Sequence, residues 1–218
     1  MKATWLRKIA GLGVILLLAA VSLQAEDEGW INNSLTLKVT PRISLKFTQE
    51  THSREIAFAD TYMHNWQGGV VWKLSSRVHA AASYKQEVSE FRDSYLHESR
   101  FTLEGGWKLP LSRKSRLDAR FRMEVRSFDV DSKTDHLRFR LRLRFQTQVN
   151  LGGLTLKPFV ATEPFADTLA DKINRNRFYL GFGVPLSSHV QWVVNYIRQD
   201  SSGKETLHIL NTGVDLKF

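Results

Sequence analysis

Leu137-Arg138-Phe139-Arg140-Leu141-Arg142-Leu143-Arg144-Phe145 alternates apolar and basic residues without a break. In a β-strand successive side chains point to opposite faces, so this run puts every arginine on one side and every apolar residue on the other. A helix would scatter the guanidiniums around its circumference and leave no apolar stripe to bury. The stretch predicts a strand. Four arginines on one face cannot enter a dry core unpaired, so that face meets water. The other face is wholly apolar and must meet a second layer or lipid.

The same period runs through most of the chain. Downstream it recurs at residues 178–184, 190–196 and 210–218, and upstream at 117–126, where Asp118, Arg120, Arg122, Glu124 and Arg126 share a face. Earlier still it marks 35–39, 43–47, 66–74, 78–87 and 101–109, with a weaker segment at 154–163 that contains Pro158. Longer polar links at 51–60, 129–135, 164–174 and 199–205 alternate with tight ones at 75–76, 150–153 and 185–188. Long and short links in alternation predict an up-and-down meander. A soluble sandwich would turn its apolar faces inward and carry small mixed polar residues outside. Here the polar face is dense in charge on strand after strand, as in a barrel with lipid outside and water within. Trp66, Trp107, Tyr95 and Tyr196, near segment ends, are candidates for interfacial girdles. The expected fold is all-β: an antiparallel up-and-down transmembrane β-barrel of 10–12 strands.

Ten segments fall between Arg42 and Phe218. A barrel entered and left from one side of the membrane needs an even count. The segment 34–39 would be an eleventh, so either it has a further partner, making twelve, or it lies in the lumen or along the rim. The placement of 26–41 stays open.

Residues 1–25 have the pattern of an export signal, with Lys2, Arg7 and Lys8 ahead of an apolar stretch and Glu26-Asp27-Glu28 just after it. The barrel domain is then 26–218. The leader takes three of the 31 basic residues and none of the 22 acidic ones, leaving a net charge of +6. With no cysteine in the chain, disulfides and thiol chemistry are excluded.

The closing residues carry a resemblance. Asn211, Gly213, Leu216 and Phe218 resemble the C-terminal signal read by the outer-membrane barrel assembly machinery. The chain further resembles a family of uncharacterised bacterial outer-membrane β-barrel proteins, known only as a domain of unknown function. The likeness rests on Trp30, on Arg177-Phe178-Tyr179-Leu180-Gly181-Phe182-Gly183, on Lys157-Pro158-Phe159-Val160-Ala161-Thr162-Glu163-Pro164-Phe165, and on the closing strand. It implies a barrel in the bacterial outer membrane and says nothing of a substrate.

The candidate functional feature is the basic inner face: Arg120, Arg122, Arg126, Arg138, Arg140, Arg142, Arg144 and Arg177. These arginines could pair with acids and fill a small lumen, or stay unpaired and line a path favouring a small anionic solute. The expected function is a small anion-leaning channel or a structural envelope protein, non-enzymatic and monomeric, with outer-membrane lipid and the assembly machinery as partners. An alternative is a lipid hydrolase. His97 and Ser99 share a strand face and resemble the His-x-Ser sites of outer-membrane phospholipase and lipid A deacylase, with Glu90 or Asp129 as the third group. Those enzymes carry Asn after the Ser, where this chain has Arg100. The remaining histidines lack ligand spacing, so no metal or other cofactor is expected. Nucleic acid is excluded as a partner because the basic residues face a lumen in the wrong compartment.

Overall fold

The computed structural model describes residues 28–91, 94–130, 132–170 and 173–218. The expected export signal lies outside the described residues. The strands are β1 (Glu28–Lys38), β2 (Ile43–Ser53), β3 (Thr61–Lys73), β4 (Val78–Phe91), β5 (Ser94–Pro110), β6 (Arg116–Phe128), β7 (His136–Gln146), β8 (Val149–Leu151), β9 (Leu154–Asp167), β10 (Ile173–Pro185), β11 (Val190–Ser201) and β12 (Leu207–Lys217). All but β8 form a closed ring in which sequence neighbours pair antiparallel, with β9 following β7 and β12 returning to β1. The short β8 instead folds back on the start of β9 through Gly152 and Gly153, whose φ values of 54° and 84° fit the two left-handed positions of a tight hairpin turn.

The barrel is apolar outside and polar within. Phe121, Leu180 and Trp66 are 50%, 53% and 57% exposed on the outer wall, whereas Glu124, Glu163 and Asn65 are each 1% exposed inside. The period-two pattern requires this once the sheet closes, because only the concave face can be shielded by the rest of the barrel.

Closure differs from the expectation of an even count. Segment 34–39 is neither a lumen strap nor half of an extra hairpin: Ser34 to Lys38 end β1, which is the eleventh barrel strand and pairs parallel with β12. An odd number of alternating strands leaves one pair running the same way, and the β1–β12 seam is that pair. It is interrupted between Ile31↔Thr212 and Ser34↔Asp215, where the Asn33 side chain instead accepts a hydrogen bond from the Val214 N–H at 3.1 Å. Gly213 makes this possible, since a Cβ there would lie 1.7 Å from the Asn32 carbonyl oxygen. The glycine of the C-terminal motif therefore lets the last strand reach the first.

Two unlike rims result. The long links, between β2 and β3, β6 and β7, β9 and β10, and β11 and β12, share one end with Glu28. The short links, after β1, β3, β5, β7 and β10, share the other end with Phe218.

Candidate functional site

The inward residues enclose two adjoining cavities of about 310 Å³ and 290 Å³, the first toward the short-turn rim and the second toward the long-loop rim. Trp30, Glu50, Gln67, Arg122, Arg140 and Arg177 line both and mark the waist between them. The eight arginines read from the sequence all line one cavity or both.

Most of them are bound to carboxylates. The ladder sets Arg100 opposite Arg126 and Arg122 opposite Arg140, arrangements that destabilise a sheet on their own. Four glutamates reconcile them. Glu98 accepts from the Nε atoms of both Arg100 and Arg126 at 2.7 Å. Glu104 accepts from Arg122 at 2.5 Å, and Glu124 accepts from Arg140 at 2.7 Å. Glu163 takes Arg120 at 2.8 Å, Arg140 at 3.1 Å and the Tyr179 hydroxyl at 2.6 Å. Nearer the long-loop rim Arg138 donates to Asp167 at 2.5 Å.

A second set of cations has no carboxylate partner among the described residues. Arg144 donates to the Gln146 side-chain oxygen and stacks on Phe159, 3.8 Å from the ring centroid. Arg177 donates to Gln199 and lies over Trp30 at 4.8 Å. Lys46, Arg142 and Arg175 have no hydrogen bond or ion pair among the described residues, yet each lines a cavity. The acids lining the cavities are engaged: Glu28 by Trp30 and Tyr62, Glu50 by Asn65 and Lys85, Glu87 by Lys85, and Asp215 by the Ser34 hydroxyl. Glu28 and Asp215 are held by neutral groups only. Among the described residues Lys46, Arg142, Arg144, Arg175 and Arg177 therefore stand against two carboxylates that no cation pairs, and the charge facing the cavities is on balance positive.

Phe165 belongs to the same interior and was not singled out from the sequence. It is 2% exposed and has Arg140, Arg177, Arg175 and Arg138 around its ring at 4.5, 5.1, 5.7 and 5.8 Å. An aromatic face attracts cations, so one ring helps hold several guanidiniums in a small space. Parity alone would have found Phe165, two residues from Glu163, and Arg175, two from Arg177. Pro158 made 154–163 read as a weak segment, and 164–174 read as a link, whereas β9 runs on through Phe165 to Asp167 and β10 starts at Ile173.

Asn211 and Gly213 face the lumen, and Phe218 projects at the short-turn rim, 60% exposed. Leu216 pairs with Leu35 of β1 and Val190 of β11.

The hydrolase residues are not assembled. His97 is exposed on the outer face, and the Ser99 hydroxyl is taken by Tyr84 at 3.1 Å and Gln86 at 2.9 Å. Asp129 accepts from the His97 backbone N–H, and Glu90 is held by Arg54 at 2.6 Å. The hydrogen bonds that Arg54 donates to the Glu90 and Asp60 carboxylates raise its pKa above the ordinary value. No hydrogen bond joins the His97 ring to Ser99 among the described residues. Nor does any group of three or more His, Asp or Glu there have the arrangement of a metal site.

Fold and interior together define a closed β-barrel with an apolar outer wall and a basic inner one. The chain belongs to the family described as protein of unknown function (DUF2490), whose profile matches residues 27–206. No curated protein matches it.

Proposed function

We propose that the chain is a monomeric outer-membrane β-barrel, exported by residues 1–25 and inserted by the barrel assembly machinery, whose basic lumen passes small anions. The outer wall supports the location. Barrel strands of 11 to 17 residues meet or exceed the roughly 9–11 needed to cross a bilayer at a tilt, and Trp66, Phe101, Leu103, Phe121, Leu141, Phe178 and Leu180 make the middle of the outer wall apolar and aromatic. One observation carries the channel reading. Lys46 and Arg142 line one cavity and Arg175 the other, none of them in an ion pair among the described residues, so an anion entering at either rim meets cations that no carboxylate holds in contact. The arginines already paired to Glu98, Glu104, Glu124 and Glu163 serve as wall.

That ion-paired wall also favours a second reading, a rigid envelope barrel with a filled interior. Planar-bilayer recording separates the two. In a salt gradient the channel reading expects small unitary currents whose reversal potential lies toward that of chloride. A protein that inserts but gives no channel events overturns it and leaves the structural role. The hydrolase alternative takes no support from the geometry, because Ser99, Glu90 and Asp129 are each engaged elsewhere.

A further inference from the structure

Four of the links at the short-turn rim repeat one pattern: Val39-Thr40-Pro41-Arg42, Leu74-Ser75-Ser76-Arg77, Leu111-Ser112-Arg113-Lys114 and Leu186-Ser187-Ser188-His189. In each, the hydroxyl at the second position accepts the backbone N–H groups of the fourth and fifth residues, at 2.9 to 3.2 Å. The turn needs that hydroxyl. It needs neither the aliphatic residue at the first position nor the base at the fourth.

Both of these project away from the barrel. Val39, Leu74, Leu111 and Leu186 are 60%, 66%, 54% and 63% exposed. Arg42, Arg77, Arg113 and Lys114 are exposed, and their side chains have no partner among the described residues. The segments 38–43, 73–78, 108–116 and 185–190 contain no Asp or Glu. The opposite rim is different: Arg54 is bound there by Asp60 and Glu90, and Arg198 by Asp200.

An aliphatic side chain beside an unpaired cation, repeated around a ring, fits the boundary between acyl chains and charged headgroups. A dissolved anion would recruit the bases and leave the aliphatics without a role. Resting on the membrane reading above, we infer that the short-turn rim is seated in a layer of anionic phospholipid headgroups. Each repeated turn inserts its Val or Leu at the acyl boundary, and three of the four set a base, Arg42, Arg77 or Lys114, against a lipid phosphate. His189 of the fourth instead stacks on Phe218 and meets the Ser188 hydroxyl.

Trp72 and Trp107, on the outer wall beside these turns, report on the lipid there. The barrel is inserted into mixed vesicles of phosphatidylglycerol and phosphatidylcholine, with one or the other lipid brominated, and tryptophan quenching gives their relative association. The native protein is expected to favour phosphatidylglycerol by about threefold or more, less so at high salt. The quadruple variant Arg42→Gln, Arg77→Gln, Arg113→Gln, Lys114→Gln keeps the backbone N–H groups that close the turns, and should show no preference. Arg54→Gln, at the other rim, should leave the preference intact. Equal quenching by the two lipids in the native protein, or an unchanged preference in the quadruple variant, overturns the inference. Failure to insert into vesicles of either lipid would instead defeat the membrane reading and the inference with it.

Discussion

Arg140 and Arg142 occupy successive inward positions on β7, and among the described residues the first is bound by two glutamates while the second is bound by none. Their strand, face and side chain are the same. What differs is the diagonal neighbourhood: Glu124 on β6 and Glu163 on β9 both converge on Arg140. One step toward the short-turn rim Arg142 is opposite Arg120, and Arg120 is already taken by Glu163. The β7–β9 ladder also lapses between Arg140↔Phe165 and Leu143↔Thr162, next to Pro164, which has no N–H to donate. The interior thus holds two populations of cation, a cross-linked wall and an open set facing the cavities. Density of arginine alone does not tell them apart.

Four substitutions act on this difference. Glu163→Gln should have the largest effect. Glu163 is 1% exposed and joins Arg120, Arg140 and Tyr179. Among the described residues, loss of its charge leaves Arg120 with only Glu104 at 3.8 Å and Arg140 with only Glu124, in a neighbourhood where Arg122 and Arg142 already put positive charge in excess. Removing one partner of a buried ion pair costs about 3–5 kcal/mol. The urea midpoint of the folded barrel, followed by tryptophan fluorescence, should drop accordingly. A midpoint equal to the native one would mean that the wall is not held by its ion pairs.

Arg140→Gln should cost less, about 1–3 kcal/mol. Glu163 keeps Arg120 and Tyr179, and Glu124 keeps Arg100 at 3.8 Å. The same unfolding measurement ranks the two variants, and a larger loss for Arg140→Gln would reverse the hierarchy within the wall.

Much of this molecule is legible in its sequence, and the parts that are not share a cause. Alternation assigns faces, so the barrel and its arginine-lined interior follow from stretches such as 137–145 and 117–126. Alternation carries no information on which strand lies beside which when the partner is distant. The β1 strand contains Asn32-Asn33-Ser34, where no apolar alternation is visible, and its parallel seam depends on Gly213 at the far end of the chain. The pairing state of each arginine is a property of register across three strands, so Arg140 and Arg142 read alike until β6 and β9 are in place. The repeated turn was legible and still missed, because its four copies are spread over 150 residues from Val39 to His189 and one carries Pro41 in the place of a polar residue.

Arg142→Gln should have the smallest effect on stability and the clearest effect on charge selection. Its guanidinium makes no hydrogen bond or ion pair among the described residues, so nothing buried loses a partner, and a change away from such features usually stays within about 0.5 kcal/mol. The substitution also relieves repulsion, since Arg120 lies opposite and Arg144 two residues on. The urea midpoint should therefore hold or rise slightly, while the reversal potential in a salt gradient moves away from that of chloride. Lys46→Met, across the same cavity, should act in the same direction. If Arg142→Gln destabilised the barrel as much as Glu163→Gln does, the unpaired cations would be part of the wall after all, and the division between wall and path would fail.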